Sequence, residues 1–352
     1  MTKKLDYASL FTLRKDGRYV ASYTDATGRH FLYDRDPERL YHKINDPKPE
    51  CTFADVARAW YDAHRERVGY STAELYKAPL SRLICRYCDR APEDVTAADV
   101  EAYLSELAKQ GYSRRSVQMH RDILNMIYNH AIVAGNATGN PCAAVSLPRN
   151  LPSSKRELPT DDELATIRRR TDHPFALFAL LCLYAGLRRG EALSLRYEDI
   201  DRKASLIHVR RSVEFVGNNP HFKPPKTKSG IRDVPLLDPL AAILPAQKKG
   251  LIITMDGEDR ALTKSSYRKR WQAYCRDLGI DITAHQLRHG FATILYEAGI
   301  PDKDAQELLG HSDISVTRNI YTHIRQSRRE ETAARLNAFL AGNSDNNSDN
   351  NF

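Results

Sequence analysis

The sequence contains no uninterrupted apolar run near the roughly 18 residues that a membrane helix needs. Its longest apolar stretch, Phe175 to Leu187, is broken by Tyr184 and Gly186 and reads as a buried core helix. No basic segment followed by an apolar one opens the chain, so neither a secretory leader nor a membrane anchor is expected, and a cytoplasmic location is. Cysteine is sparse, with six in 352 residues, at positions 51, 85, 88, 142, 182 and 275. Cys85 and Cys88 have CxxC spacing, but no second Cys or His pair lies nearby to complete a zinc site. Reduced structural thiols are the expected state. A phosphate-binding glycine loop and a metal-ligand set are also missing, so no cofactor is expected.

What the chain has is length and positive charge. At 352 residues it exceeds a usual single core and implies two or three domains. Lys and Arg number 53 against 45 Asp and Glu, a net charge of +8. That excess favours a polyanionic partner, because Lys and Arg that displace condensed counterions gain affinity for nucleic acid. Charge alone does not decide the matter.

Residues 1 to 45 read as a small β-rich module closed by a helix. Asp16-Gly17 and Asp25-Ala-Thr-Gly28 are turn signals around strands at Arg18–Thr24 and Arg29–Tyr33, with Ala8–Leu13 as a third strand. Asp36-Pro37 supplies an N-cap and a first helical residue. A solvated sheet and a sheet laid into a DNA groove both fit this pattern. Residues 52 to about 145 read as helices throughout. Thr52, Thr96 and Ser113 precede apolar stripes, and Ser71-Thr-Ala-Glu74 has capping-box spacing. The bundle's basic residues, Arg82, Arg86, Arg90, Arg114, Arg115 and Arg121, suit a phosphate face or a solvated surface equally. Ser146 to Pro159, rich in Pro and Ser, reads as a linker. Asp161, Asp162 and Glu163 fit a capping box behind Thr160 better than a metal site. The tail from Gly342 to Phe352 has the composition of disorder.

Between these ends lie polar residues that packing does not readily explain. Arg188 sits in Gly186-Leu-Arg-Arg-Gly190, a tight corner beside the apolar helix, where a structural pair with Glu191 would also account for it. Ser205 to Phe215 reads as one strand with Ile207, Val209, Val213 and Phe215 on one face, and Arg232 to Leu236 as its return. The basic loop Lys223 to Gly230 joins them; a Lys at such a tip is usually solvated. His285-Gln-Leu-Arg-His289 opens a helix and places His285 and Arg288 on one face. Gly310 stops a helix and leaves His311 at its end. Tyr321-Thr-His323 follows, and Tyr321 alone would pass for a core aromatic.

At these segments the sequence resembles the tyrosine recombinases of the phage integrase family. The family's pattern is an Arg in a G-L-R-x-G-E turn, a Lys on a β-hairpin, then H-x-L-R-H, L-G-H and Y-T-H. Here Arg188, Lys226, His285 with Arg288, His311 and Tyr321 occupy those positions in the same order. Ala185 stands where the family often has Thr. Lys226 and Lys228 are both candidates for the lysine, with Pro225-Lys226-Thr227 the better match. The helical stretch is similar to the family's core-binding domain, and residues 1 to 45 to the arm-type domains of phage and conjugative-transposon integrases.

The resemblance implies a multi-domain, mainly α fold with small β elements. Its parts would be an arm-type module at 1–50, a core-binding bundle at 51–145, a linker at 146–159, a catalytic domain with a β-hairpin at 160–341, and a tail at 342–352. It implies site-specific cleavage and rejoining of double-stranded DNA, at core and arm sites, through a 3′-phosphotyrosine. In that chemistry Arg188 and Arg288 hold the nonbridging oxygens, as bidentate guanidinium forks do better than Lys. His311 adds a hydrogen bond. Tyr321 attacks as His285 assists, and Lys226 protonates the departing 5′ oxygen. The bond energy kept in the phosphotyrosine makes ATP unnecessary. A homo-tetrameric synapse is implied, and an accessory DNA-bending or excision factor is compatible with it. The apolar stripe of Ala333, Leu336, Phe339 and Leu340 fits packing on its own domain or on a neighbouring subunit. Integration and excision of a mobile element or prophage is the leading reading. A Xer-like resolvase, a topoisomerase and an inactive DNA-binding regulator are the alternatives.

Overall fold

The computed structural model describes residues 6–25, 28–45, 51–152, 158–225, 227–245 and 249–344. The chain divides into two compact units, Met1–Ser154 and Lys155–Phe352.

The first unit opens with an antiparallel sheet of β1 (Thr12–Leu13), β2 (Tyr19–Asp25) and β3 (Gly28–Asp34), in that order. Gly17, at φ 78°, makes the first turn. The expected strand at Ala8–Leu13 shrinks to Thr12–Leu13, because Tyr7–Leu10 forms a 3-10 turn. Ser9 donates both its hydroxyl and its amide to the Asp6 carbonyl, local bonds that compete with a ladder. Helix α1 (Pro37–Asn45) starts as expected, with the Asp36 carboxylate accepting the Glu38 amide at 3.0 Å.

Four longer helices follow: α2 (Phe53–Arg65), α3 (Tyr70–Tyr87), α4 (Ala97–Lys109) and α5 (Arg114–Val133). Thr52 with Asp55 and Thr96 with Asp99 form reciprocal capping boxes, and Ser113 caps α5. Helix α3 departs from expectation. It begins at Tyr70 behind Gly69, so Ser71 lies within its first turn rather than at its cap. Phe53, Trp60, Leu83, Tyr87, Leu104 and Ile127 are among the side chains that fill the bundle core. All six cysteines are free thiols, Cys85 exposed and Cys182 buried.

The second unit contains α6 (Asp161–Arg169), α7 (Ala176–Tyr184) and α8 (Arg189–Ser194), followed by the strands β4 (Ile200–Asp201), β5 (Leu206–Val209), β6 (Ser212–Val216), β7 (Asn219–Lys223) and β8 (Arg232–Pro235). Then come α9 (Asp238–Ile243), α10 (Lys264–Leu278), α11 (Ala284–Glu297), α12 (Asp302–Leu309) and α13 (Ile314–Ser344). Thr160 and Glu163 form the expected capping box of α6. Helix α7 is buried at Ala176 and from Phe178 to Leu183 and packs against α11. The single strand expected over Ser205–Phe215 is two strands in two sheets. β5 pairs with β4 and β8, whereas β6 pairs with β7 in a separate hairpin. The break falls at Arg210 and Arg211, which turn to Asp233 and Asp199 at 2.5 and 2.6 Å. Ile207, Val209, Val213 and Phe215 all remain buried, which is why the pattern looked continuous. Pro220 is tolerated in β7, whose one partner strand is β6.

The helix expected after Tyr321 begins before it, at Ile314, and includes Tyr321. It also runs through residues 342–344, where the tail was expected to start; 345–352 lie outside the described residues. No described helix is long and apolar enough to cross a membrane, and no described group of three or more His, Cys, Asp or Glu could hold a metal ion.

Candidate active site

The corner that carries Arg188 requires glycine. Gly186 has φ 59°, and a Cβ there would meet the Phe291 ring at 2.3 Å. The chain then enters α8, and Glu191 in its first turn accepts the Arg188 amide at 2.9 Å. Glu191 is 2% exposed and faces three guanidinium groups. Arg188, Arg232 and Arg288 approach its carboxylate at 2.7, 3.0 and 3.9 Å. Burial alone would raise the Glu191 carboxyl, but the charge and hydrogen bond of Arg232, with Arg188 and Arg288 behind it, hold it down at about 2. One buried anion thus orders three cations, and the surplus is positive.

Those arginines are tied down on their other side as well. Arg188 donates to the Gly310 carbonyl at 2.7 Å, Arg288 to the Leu309 carbonyl, and Arg232 to the Leu308 carbonyl at 2.7 Å. Three successive carbonyls at the C-terminal end of α12, where the helix dipole is negative, therefore each receive one guanidinium. Arg288 also donates to the Gly186 carbonyl at 2.6 Å. Its side chain is 3% exposed against 41% for Arg188, so Arg188 is the more accessible of the pair. Burial, with Arg188 and Arg232 nearby, lowers the Arg288 pKa to about 9, still charged at neutral pH.

Gly310, at φ 62°, ends α12 and turns the chain into His311. Burial, then the positive Arg288 and Arg188, depress the His311 pKa to about 3, so its ring is neutral at physiological pH. Its Nδ1 lies 2.9 Å from the Thr317 hydroxyl on α13. With that hydroxyl as donor, Nε2–H is left to donate outward. Tyr321 lies one helical turn beyond Thr317 and so shares its face of α13.

The structure thus gathers Arg188, Arg288 and His311 around one corner. It does not join Tyr321 to them by a hydrogen bond. Tyr321 is 3% exposed, its ring edge-on to Tyr296 at 5.1 Å among Phe291, Leu295 and Leu309. Its hydroxyl is buried without a hydrogen-bond partner among the described residues. Burial, with Asp302 a lesser cause, raises its pKa to about 12. His285 stands in the first turn of α11, its ring edge-on to His289 at 4.4 Å. Lys226 lies outside the described residues, and Lys228 is exposed in the turn that follows. Sequence reading missed Arg232 and Thr317. In the sequence Arg232 is a strand residue beside a basic loop, and no local signal marks it as buried. Thr317 carried no signal at all.

Comparison with known proteins bears directly on this corner. A profile described as phage integrase family matches residues 161–328, and one described as phage integrase, N-terminal SAM-like domain, matches residues 59–133. The XerD tyrosine recombinase of Shewanella oneidensis is 30% identical over 249 residues, covering 68% of this chain and 80% of that protein. The chain belongs to the phage integrase family of tyrosine recombinases. A putative prophage phiRv2 integrase of Mycobacterium tuberculosis is 26% identical to this recombinase over 350 residues, 91% of this chain and 92% of that protein. In three dimensions the recombinase is similar to the Tn1549 transposon integrase in complex with circular intermediate DNA, with a TM-score of 0.64 at 19% identity. That match covers 80% of this chain and 99% of the other. A lambda integrase dimer bound to a COC′ core site matches 91% of this chain and 96% of its own, with a TM-score of 0.60 at 21% identity. The mainly helical fold with small antiparallel sheets is the one these integrases share.

Proposed function

We propose that this recombinase cleaves and rejoins double-stranded DNA through a 3′-phosphotyrosine on Tyr321, and so integrates and excises a mobile element or prophage. The observation that carries the reading is the corner of Arg188, Arg288 and His311. It combines a positive surplus, a neutral imidazole and main-chain anchoring. Preorganised donors of this kind stabilise the charge that builds on a phosphate in the transition state. Arg188 and Arg288 bind its nonbridging oxygens and His311 Nε2–H donates a further bond. The Tyr321 oxygen attacks phosphorus as His285 takes its proton. The bond to the 5′ oxygen breaks and Lys226 protonates that oxygen. Resealing runs the same exchange backwards, with a 5′ hydroxyl as nucleophile. To attack, the Tyr321 hydroxyl must leave the apolar cluster that now encloses it.

The remaining assignments follow from this reading. Residues 1–50 act as the arm-binding module, 51–145 as the core-binding domain, 146–159 as the linker and 160–341 as the catalytic domain. The β3 face supports the first of these. Phe31 and Tyr33 are exposed there, with Arg29 over the Phe31 ring and Arg14 and Arg18 over Tyr33, a cationic surface suited to DNA. Catalysis would occur in a homo-tetramer in the cytoplasm, a setting compatible with an accessory DNA-bending or excision factor.

The test is a nicked duplex whose sequence is recovered by selection from a randomised pool. Wild-type protein should form a covalent adduct stable to denaturation, and Tyr321→Phe should form none. An adduct with the Phe variant, or no adduct with wild type on any selected duplex, overturns the mechanism. Relaxation of supercoils without exchange between two duplexes would instead indicate a topoisomerase.

A further inference from the structure

Arg232 is nearly as buried as Arg288 and contacts the same carboxylate, yet it has no task in the mechanism above. Its side chain is 5% exposed. Three of its N–H groups point at three acceptors: Glu191 Oε2 at 3.0 Å, the Leu308 carbonyl at 2.7 Å and the Gly230 carbonyl at 3.2 Å. These acceptors belong to three separate segments. Glu191 follows the Arg188 corner, Leu308 lies in the last turn of α12 before His311, and Gly230 ends the basic loop ahead of β8. The close fit at Gly310 reinforces the junction. A Cβ there would lie 2.7 Å from the Ser229 carbonyl and 3.1 Å from Arg232 Cδ.

We infer that Arg232 is a positioning residue for phosphoryl transfer, fixing Glu191 against the end of α12 so that Arg188 and Arg288 are held at the spacing of one phosphate. This inference rests on the function proposed above. Arg188 donates to Glu191 and Arg288 faces the same carboxylate as an ion pair at 3.9 Å, while on the other side they donate to the Gly310 and Leu309 carbonyls. The distance between those two anchors sets where the guanidiniums sit. Arg232 spans the anchors directly, through Glu191 and Leu308. Without it, Glu191 loses its hydrogen-bonded buried partner and is free to shift toward Arg188 and Arg288. Their N–H groups would then be aimed at the carboxylate rather than at substrate. Stability alone is a weak account of such a group, since well-packed apolar residues often replace buried ion pairs without loss. A planar fork that reaches three fixed acceptors is also what Lys cannot reproduce.

The test measures adduct formation on the selected nicked duplex, after wild type has been shown to react. If wild type does not react, the mechanism itself fails and Arg232 is not at issue. With an active wild type, Arg232→Met should slow cleavage about a hundredfold at saturating DNA, the scale expected for misplacement by an ångström. The DNA concentration at half-saturation should stay within about threefold. Arg232→Lys, which keeps the charge but not the fork, should lose about tenfold. A second duplex carries an uncharged methylphosphonate at the scissile position, which removes the charge that Arg188 and Arg288 neutralise. On it the loss for either variant should shrink severalfold, because misaligned guanidiniums matter less. An unchanged rate for both variants overturns the inference. So does an equal loss on both duplexes, or a parallel loss of binding and cleavage, since those mark a merely structural residue. If Arg232→Met does not fold, Arg232→Lys carries the same two-duplex comparison.

Discussion

Arginines are used in opposite ways in the helical bundle and in the catalytic corner. In the bundle, Arg86 pairs with Glu106 at 2.8 Å and Arg90 with Asp99 at 3.0 Å, with side chains 42% and 37% exposed. The Arg86 pair is screened by solvent and can be exchanged for a phosphate at little cost, whereas Arg90 is held further by the Asp94 carbonyl. In the corner, Arg232 and Arg288 are almost fully buried and both donate to main-chain carbonyls; Arg232 also donates to Glu191, and Arg288 lies 3.9 Å from the same carboxylate. Taking them out of place would strand a buried carboxylate and four carbonyls. The first arrangement gives charge that can follow a flexible polyanion. The second gives charge whose position is set before substrate arrives, which is what transition-state stabilisation requires.

Four substitutions probe that contrast. The largest effect is expected from Arg188→Lys, because an ammonium cannot bridge Glu191, Gly310 and a phosphate at once. Cleavage in a single-turnover assay should fall by about a thousandfold while DNA affinity holds. A parallel loss of affinity would place Arg188 with the bundle's surface arginines.

Glu191→Gln addresses acid stability. The native carboxyl sits at about 2, below its ordinary value of 4.5. Its contribution is therefore fully present above 4.5 and is lost as pH falls toward 2. That contribution is of order 3 kcal/mol. His311 acts in the same direction, since its ring at about 3 is held below the usual 6.5 and its share is lost as pH falls through that interval. Denaturant titrations from pH 7 to 2.5 should show a shallower acid decline for Glu191→Gln than for wild type. An unchanged slope would mean the carboxylate is not held by the arginines.

Gly310→Ala forces a side chain into a left-handed residue and against the Ser229 carbonyl. Unfolding free energy should drop by about 2 kcal/mol, with cleavage slowed by the displaced His311. The smallest effect belongs to Arg86→Ala in the bundle. It should change stability by less than about 0.5 kcal/mol, and a larger loss in chemical denaturation would show that this pair too is preorganised.

Much of the fold was legible because its signals are local. Thr52, Thr96, Ser113 and Thr160 cap helices through residues three positions on. Gly310 marked the end of α12 because few other residues take its backbone angles. The errors were also physical. Alternating burial at Ile207, Val209, Val213 and Phe215 is the same for one strand as for two, so only Arg210 and Arg211 finding separate carboxylates reveals the break. Ser71 had capping spacing, but Gly69 opens the helix two residues earlier.

The sequence by itself determined which chemical groups are present and in what order: two arginines, a lysine, two histidines and a tyrosine, with glycines at the turns that present them. It also carried the Glu191 partner of Arg188, three residues away on the same turn. Only the tertiary structure decided how those groups are held. Arg188 meets the Gly310 carbonyl across 122 residues, and Arg232 meets Leu308 across 76. Nor could sequence tell that Tyr321 lies within α13 with its hydroxyl in an apolar cluster. Burial and long-range hydrogen bonds are properties of the packed chain, so a residue such as Arg232 gains its importance only when three distant segments close around it.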